Sequence, residues 1–489
     1  MTANLTTKPI LVWFRQDLRL RDHPALTHAV QSGRPVIAFY VFDTDPQQRP
    51  MGAASQWWLN RSLGSLSNDL AALGASLVLR KGQAGEVVKA LVQETGAEAV
   101  VWNRLYEPGA TARDTQLKAA LKDLGLEVTS FNGALLNEPW TVATGSGGPY
   151  KVFTPYWRAA RAKVTATSAL PAPAQILSPD NWPASDRLND WGLHPTKPDW
   201  SKGFDDWQPG EAGAQARLDD FLAGPANAYA EGRDQPGKLG TSRLSPHLHF
   251  GELSPRQVWL AAQMASHQGD LDDSARDKFL AEIGWREFNH HLLFHFPHIA
   301  TQNFKPGFDG FGWLTDETGL KAWQAGLTGY PMVDAGMREL WATGWMHNRV
   351  RMIVASFLIK HLLIHWREGE AWFWDTLLDA DLANNAAGWQ WTAGTGADAS
   401  PYFRIFNPFS QGEKFDPKGA YIRRWIPELA GLPDKLIHRP WEASSLELRA
   451  AGINLGATYP KPIIDHSLAR NRALEAYGRL KTLHTDEVP

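Results

Sequence analysis

Paired carboxylates and amides stand close to two tryptophans in the C-terminal third of the chain. The segment 379–385 reads D-A-D-L-A-N-N, and Trp389 and Trp391 follow it. Acids spaced this closely are usual in metal sites and in solvated turns. No third hard ligand lies nearby in the sequence, and no phosphate-binding loop accompanies the segment. A ribose or adenine group is therefore at least as good a partner as a metal.

A second candidate binding segment, G-T-S-R-L-S-P, occupies residues 240–246. Small hydroxyl residues and an arginine before a helix can form a cradle for an anion. The same residue types also serve as an ordinary helix N-cap. Both interpretations stay open on these residues alone.

Two further motifs are weaker evidence for a binding site. The run G-R-D-Q-P-G-K-L at 232–239 approaches a phosphate-binding loop, but Leu239 replaces the magnesium-binding Ser or Thr and no strand precedes the run. His291 and His295 have the spacing of one helix face but lack an H-E-x-x-H motif. We interpret the first motif as chance and the histidines as packed or surface residues.

Composition excludes several kinds of chemistry. The chain has 489 residues, no cysteine and a formal net charge of −3, so disulfides, thiolate nucleophiles, zinc fingers and iron–sulfur clusters are ruled out. The net charge argues against a generally basic nucleic-acid coat protein but leaves room for a local basic face. The apolar run at 9–14 is short and charged residues follow it, so we expect a cytoplasmic protein without a membrane span.

The first part of the chain alternates short β-rich runs with amphipathic stretches, which predicts a doubly wound parallel sheet in an α/β domain at 1–135. The predicted strands are 10–14, 36–42, 76–79, 99–102 and 127–131, and the predicted helices are 56–73, 85–95 and 111–124. No G-x-G-x-x-G follows the first strand, so a dinucleotide bound in the Rossmann manner is not supported.

The remainder divides into a connector and a helical domain. Residues 136–205 are rich in proline and polar residues, which predicts an interdomain connector without long elements. The region 206–489 is predicted to be a large all-α domain. Its clearest helices are 257–266, 276–294, 332–343, 350–365 and 370–378.

Taken together, these segments resemble the cryptochrome/photolyase family over nearly the whole chain. The motifs that carry the resemblance are W-F-R-Q-D-L-R at 13–19, Y-K-V-F-T-P-Y at 150–156, G-T-S-R-L-S-P at 240–246, W-R-E-F at 285–288, G-W-M-H-N-R-V-R-M at 344–352, N-N-A-A-G-W-Q-W at 384–391 and F-R-I-F-N-P at 403–408. Within the family, the chain is most similar to class I photolyases, which repair cyclobutane pyrimidine dimers (CPDs).

The resemblance implies FAD, active in its reduced form, in the helical domain. The residues that it implies around FAD are Tyr229, Thr241, Ser242, Arg243, Leu244 and Ser245 at the phosphates and sugar, Asp379 and Asp381 at the ribityl and adenosine part, Arg351 paired with Asp379, and Asn385 facing flavin N5. It also implies an electron-transfer chain of Trp389, Trp366 and Trp313, for each of which core packing is the alternative.

The resemblance further implies blue-light repair of pyrimidine dimers flipped out of damaged DNA. Trp285 and Trp391 would pack against the two rings, with Met352 as an apolar contact and Asn348 bonded to a base edge. A protonated Glu282 would stabilise the extra charge on the dimer. The other DNA-contacting residues that it implies are Arg233, Arg286, Asn289, Arg349 and Gln411.

Three alternatives remain beside CPD repair. Repairers of (6-4) photoproducts use two histidines in the substrate region, where this chain has only His347, one position off. A cryptochrome-type blue-light receptor would use the same FAD for signalling. An adenine-nucleotide enzyme would need a phosphate-binding loop in the N-terminal domain, where none is found.

The resemblance also implies an antenna pigment in the α/β domain. Folate is favoured because Glu107 follows the fourth predicted strand, whereas a deazaflavin, a flavin or an empty site stays open. We expect a monomer that acts on DNA and not at a membrane.

Overall fold

The N-terminal part of the computed structural model, which describes residues 8–165, 168–399 and 403–485, is a five-stranded parallel sheet of order β3-β2-β1-β4-β5. Its strands are β1 Ile10–Phe14, β2 Val36–Asp43, β3 Leu77–Gly82, β4 Ala99–Asn103 and β5 Glu127–Phe131. The central strand β1 pairs with both β2 and β4. The strand order therefore reverses between β1 and β4, as in a doubly wound sheet.

Helices cover both faces of this sheet, so every residue of β1 is buried. The helices are α1 Pro24–Gln31, α2 Ala53–Ala72, α3 Ala84–Thr95 and α4 Pro108–Asp123. The predicted α/β fold is confirmed, with the ends of elements shifted by a few residues. Only α1 was missed, because its eight residues give too short a stretch for an amphipathic pattern to stand out.

The predicted connector contains a real helix, α5 Phe153–Ala162. Tyr156, Trp157 and Ala160 are buried on its inner face. The prediction of no long element was wrong because Pro155 stands in the first turn, where a missing N–H breaks no helical hydrogen bond. The domain boundaries themselves stay predictions.

The rest of the described chain is helical, as predicted. Its helices are α6 Glu211–Ala223, α7 Tyr229–Gly232, α8 Ser245–His249, α9 Pro255–Gln268, α10 Asp273–His295, α11 Glu317–Gln324, α12 Pro331–Thr343, α13 Asn348–Ser356, α14 Trp366–Thr376, α15 Leu382–Ala393, α16 Pro408–Phe415, α17 Ala420–Trp425, α18 Ser445–Ala450 and α19 His466–Thr485. The helix predicted at 350–365 is shorter: it passes into a π-helical turn, Phe357–His361, and ends before Leu363, whose φ is +55°.

The two parts of the molecule share one hydrophobic core. Trp57 and Trp58 of α2 pack in the same cluster as Trp345 and Leu378 of the helical part. The buried indole N–H of Trp58 donates to Glu252 at 2.9 Å. Across the described ranges, no helix has both the length and the hydrophobicity needed for a membrane span.

Candidate active site

One cavity of about 570 Å³ collects most of the predicted site residues. It lies among α7, α8, α10, α13, α14 and α15. The predicted residues that line it are Tyr229, Arg233, Ser242, Leu244, Ser245, Glu282, Trp285, Arg286, Asn289, Asn348, Arg349, Arg351, Met352, Asp379, Asp381, Asn385, Trp389 and Trp391. Residues separated by more than 150 positions in the sequence therefore meet around one space.

Five predicted residues are not among the described residues that line the cavity: Thr241, Arg243, Gln411, Trp313 and Trp366. For Arg243 the reason is clear, because its guanidinium lies 4.3 Å from the ring centre of Trp207 and 4.9 Å from that of Trp345. Burial lowers the pKa of Arg243 to about 10. Its side chain is therefore packed against two tryptophans, and its predicted part in holding the flavin phosphates and sugar stays a prediction.

Two carboxylates of the segment 379–385 hold different partners. Asp379 accepts from Arg351 at 2.9 Å, so the predicted ion pair is present. Asp381 caps α15 by accepting from the N–H of Asn384 at 2.8 Å. Burial opposes ionisation of Asp381, but His290 and His249, 3.5 and 3.8 Å away, outweigh it and hold its pKa well below the ordinary value. Neither histidine was predicted to contact Asp381.

Asn385 is held by a residue that sequence reasoning missed. Its amide nitrogen donates to the carboxylate and the backbone carbonyl of Glu370, at 2.8 and 3.0 Å. Glu370 in turn accepts both guanidinium nitrogens of Arg49, a residue of the α/β domain, at 2.7 and 2.8 Å. Because both amide hydrogens of Asn385 are engaged, its carbonyl oxygen is the polar atom left for a ligand in the cavity.

The cavity fits a polar aromatic ligand such as FAD. Among the described residues, the buried Nδ1 of His249 and Nε1 of Trp389 have no hydrogen-bond partner, and both residues line the cavity. Buried donors without partners are unfavourable unless a ligand or water satisfies them. The mixture of apolar walls with a few converging polar groups is typical of a cofactor site.

The arginines predicted to contact DNA phosphates all have partners within the protein. Arg233 forms an ion pair with Glu282, Arg349 donates to Asp234 at 2.7 Å, and Arg286 donates to the carbonyl of Ala134 at 2.8 Å. The predicted role of a protonated Glu282 at the dimer stays a prediction.

His347 lies outside the lining that the described residues form, although Asn348 is part of it. The imidazole of His347 is buried and caps α13, where its Nδ1 accepts from the N–H of Arg349 at 3.2 Å. Burial lowers the pKa of His347 to about 4. His347 therefore serves as the N-cap of α13 in this structure.

The three predicted electron-transfer tryptophans extend away from the cavity. Trp389 lines it, Trp366 is fully buried, and Trp313 is half-buried. The ring of His365 lies between the last two, with its centre 5.6 Å from that of Trp366 and 4.8 Å from that of Trp313. Trp389 also contacts Trp323, at 6.1 Å between ring centres, which offers a second aromatic neighbour that was not predicted.

The motifs that were set aside have ordinary surroundings. His291 and His295 both lie within hydrogen-bond distance of the carbonyl of Pro139, at 3.0 and 3.2 Å. No cluster of metal-binding side chains occurs in the part of the chain that the structure describes. Glu107 is the N-cap residue of α4, in the loop that follows β4, and its pKa is raised by burial and by the nearby Asp381.

Comparisons with known proteins agree with this arrangement. Residues 10–174 match the family described as DNA photolyase, and residues 279–479 match the family described as the FAD binding domain of DNA photolyase. The second match contains α11 to α18 in full and most of α10 and α19, and hence most of the cavity lining.

Relatives match the chain over almost its full length. It is 54% identical to the deoxyribodipyrimidine photo-lyase of Agrobacterium fabrum, over 98% of this chain and 99% of the relative. It is 40% identical to cryptochrome-2 of Arabidopsis thaliana, over 97% of this chain and 79% of the relative. A crystal structure of a bacterial class III photolyase from Agrobacterium tumefaciens superimposes with a TM-score of 0.96 at 53% identity, covering 99% of both chains.

The chain belongs to the photolyase/cryptochrome family. The family and the FAD-binding domain predicted from the motifs are thereby confirmed, and the predicted enzyme class agrees with the name of the bacterial relative. The predicted likeness to class I is not confirmed, because the similar solved structure is described as a class III photolyase.

Proposed function

We propose that this protein is a DNA repair enzyme that splits cyclobutane pyrimidine dimers with blue light and reduced FAD. One observation carries the proposal. The residues suited to a flavin, Asn385 and the Arg351–Asp379 pair, line the same cavity as those suited to a pyrimidine dimer, Trp285 and Met352. A single cavity of this kind brings electron donor and acceptor close together.

In this proposal the dimer is flipped out of the duplex into the cavity. The cost is lower than for a normal base because the lesion stacks and pairs poorly. Trp285 and Trp391 pack against the pyrimidine rings, the flexible Met352 fills the remaining apolar space, and Asn348 bonds a base edge.

Bound reduced FAD would supply one electron to the dimer under blue light and take it back after the ring opens, with no net redox change. The carbonyl oxygen of Asn385 would accept a hydrogen bond from the flavin, because Glu370 holds its amide group in the opposite direction. The guanidinium of Arg351, fixed by Asp379, supplies positive charge beside the site.

Arg233 and Glu282 would change partners when DNA binds. A phosphate group competes with Glu282 for the guanidinium of Arg233, because Arg binds phosphate well through two parallel hydrogen bonds. Glu282, released from Arg233, would then be free to serve as the protonated carboxyl that donates a hydrogen bond to the dimer carbonyl. Arg286, Asn289, Arg349 and Gln411 would hold the backbone around the lesion.

The tryptophans would serve to keep the flavin reduced. Trp389 lies at the cavity, and Trp366 and then Trp313 lead toward the half-exposed surface. Short steps between aromatic rings can carry an electron that a single long step would not.

The test is repair of a defined thymine CPD in an oligonucleotide by the purified protein with its flavin reduced. We expect light-dependent recovery of thymines, no recovery in the dark, and a large loss of repair in Glu282→Ala. No repair under light, with reduced FAD bound, would overturn the proposal.

A cryptochrome-type receptor is the second candidate, because the chain is 40% identical to a plant cryptochrome. The same assay distinguishes the two functions, since a receptor would bind FAD and fail to repair. A (6-4) repairer is less well supported, because His347 is buried in a capping position and not directed at the substrate region.

Four finer assignments belong to the same proposal. We propose class III, the class of the similar solved structure, over the class I suggested by the motifs. We also propose a monomer in the cytoplasm and a folate antenna that Glu107 contacts. Mass spectrometry of extracted chromophores tests the antenna: Glu107→Gln should lower the folate content but not the FAD content, and a deazaflavin or second flavin in the extract would overturn it.

A further inference from the structure

Trp285 has one ring face already covered by another aromatic ring. The rings of Phe153 and Trp285 are stacked with their centres 3.7 Å apart and an angle of 7° between their planes. Trp285 lines the cavity, whereas Phe153 is not among the described residues that form the lining. The stacked face of Trp285 is thus occupied by the protein, and only its remaining face and edges are available to a ligand.

The backbone is arranged to bring these two rings together. Phe153 is the first residue of α5, and Trp285 lies on α10. A Cβ at Gly284 would lie 2.5 Å from Cδ2 of Trp157, so only glycine allows α5 to approach α10 this closely.

The other end of the contact is also held. The N–H of Phe153 donates to the carboxylate of Asp398 at 3.0 Å, and Asp398 itself lines the cavity. The edge of Phe288 packs against both stacked rings, at 6.0 Å between centres. Phe153 is therefore fixed by α5, by α10 and by the segment that follows α15.

We propose that Phe153 is a positioning residue that sets how strongly the protein prefers damaged over undamaged DNA. This rests on the proposed function, in which the free face of Trp285 packs against a flipped pyrimidine. Stacking on Phe153 holds the indole in one orientation before the lesion arrives, so less side-chain freedom is lost on binding. Undamaged DNA keeps its bases in the helix, and its affinity does not depend on this orientation.

The experiment measures dissociation constants for one oligonucleotide with and without a thymine CPD, at a single salt concentration. The variants are Phe153→Leu, Phe153→Tyr, Trp285→Leu and the double variant Phe153→Leu/Trp285→Leu. Phe294→Leu is the matched control, because Phe294 also lies on α10 and packs on an exposed tryptophan, Trp140, at 5.4 Å.

We expect Phe153→Leu to weaken binding of the damaged oligonucleotide by roughly fivefold, which is the size of one aromatic pair. Binding of the undamaged oligonucleotide, FAD content and the midpoint of thermal unfolding should stay at the level of the Phe294→Leu control. Phe153→Tyr should keep the wild-type preference for damaged DNA. In the double variant, Phe153→Leu should cause no loss of preference beyond that of Trp285→Leu alone.

The outcomes separate this inference from the proposed function. If Trp285→Leu leaves the preference for damaged DNA unchanged, the placement of the lesion in the proposed function fails. If Trp285→Leu abolishes the preference and Phe153→Leu does not reduce it, only the role of Phe153 is overturned. Equal losses for damaged and undamaged DNA in Phe153→Leu would also overturn it, since they indicate a general structural role.

Discussion

The charged residues around the cavity are paired within the protein before any DNA is bound. Arg349 donates to Asp234, which is one third exposed, and Arg233 pairs with Glu282. Partly exposed pairs of this kind contribute little to stability, so a phosphate can compete for them at small cost. In the proposed function, DNA binding would therefore be an exchange of partners for the arginines.

Arg349→Gln should weaken binding of damaged and undamaged DNA by the same factor. One phosphate contact is lost, so the slope of log K against log salt should fall in magnitude by about 0.9. Fluorescence anisotropy between low and moderate salt measures this slope. Arg161→Gln is the control, because Arg161 pairs with Asp277 at a similar distance, 2.7 Å, and does not line the cavity. An unchanged slope in Arg349→Gln would remove Arg349 from the phosphate contacts.

Glu370→Ala should lower the repair rate while the FAD content stays high. Removal of the carboxylate leaves only the backbone carbonyl of residue 370 to hold the amide of Asn385, so its carbonyl oxygen is no longer fixed toward the cavity. Loss of one oriented hydrogen bond in a buried site costs about 1 to 3 kcal/mol, or roughly 5- to 150-fold in rate. The measurement is the quantum yield of CPD repair with the flavin chemically reduced. A full yield with Asn385 intact would show that Glu370 does not orient it.

Residue types at the site were predictable from the sequence, but many of their partners were not. Asp379 and Arg351 were paired correctly from the motifs. The partnerships of Arg233 with Glu282 and of Asn385 with Glu370 and Arg49 join distant helices and two domains, and no spacing rule connects them. Arg243 belongs to the predicted motif, but the contact of its guanidinium with two tryptophans was not predicted.

At the scale of elements, glycines set how closely the helices around the cavity approach. A Cβ at Gly369 of α14 would lie 2.0 Å from Cη2 of Trp389, which belongs to α15. This contact places Trp389 directly against α14, the helix that begins with Trp366. In the proposed function, it would fix the first step of the tryptophan chain. Periodic apolar patterns predicted that both helices exist, but a pattern does not report the distance between them.

Gly369→Ala should therefore separate α14 from α15 and slow photoreduction of oxidised flavin. Overpacking of this kind costs about 1 to 3 kcal/mol of unfolding free energy. Gly64→Ala is the control, because a Cβ at this helical position of α2 meets nothing within 4 Å and should be neutral or slightly stabilising. The rate of flavin photoreduction in the presence of an external reductant measures the first effect. Urea unfolding measures the loss of unfolding free energy. Wild-type rates of photoreduction would show that the close approach is not needed for electron transfer.

At the scale of the whole molecule, packing buries several histidines wholly or in part. Burial lowers the pKa of His291, His347 and His365 to about 4 and that of His361 to about 3. Buried acids shift the opposite way, since burial raises the pKa of Asp334 and Glu339. As pH falls, the buried histidines lower the stability and the buried acids raise it. A single substitution is therefore needed to isolate the contribution of one residue.

His361 offers that substitution, because it joins the end of the π-helical turn to α19 through a 2.8 Å contact between its Nε2 and Nδ1 of His466. In the unfolded chain His361 titrates near pH 6.5, whereas in the folded protein it stays neutral down to about pH 3. Between about pH 4 and 6.5 the unfolded state binds the extra proton, so this residue makes stability fall as pH falls, by up to about 1.4 kcal/mol per pH unit, and has no such effect above pH 7.

His361→Gln removes the titrating group, and the difference in unfolding free energy between wild type and variant should therefore shrink as pH is lowered from 7 to 4.5. Urea unfolding at several pH values measures this difference. His267→Gln, at an exposed position of α9, is the control and should show the same difference from wild type at every pH. A difference for His361→Gln that is independent of pH would mean that the folded protein protonates His361 as readily as the unfolded chain does, and that the core does not exclude water there.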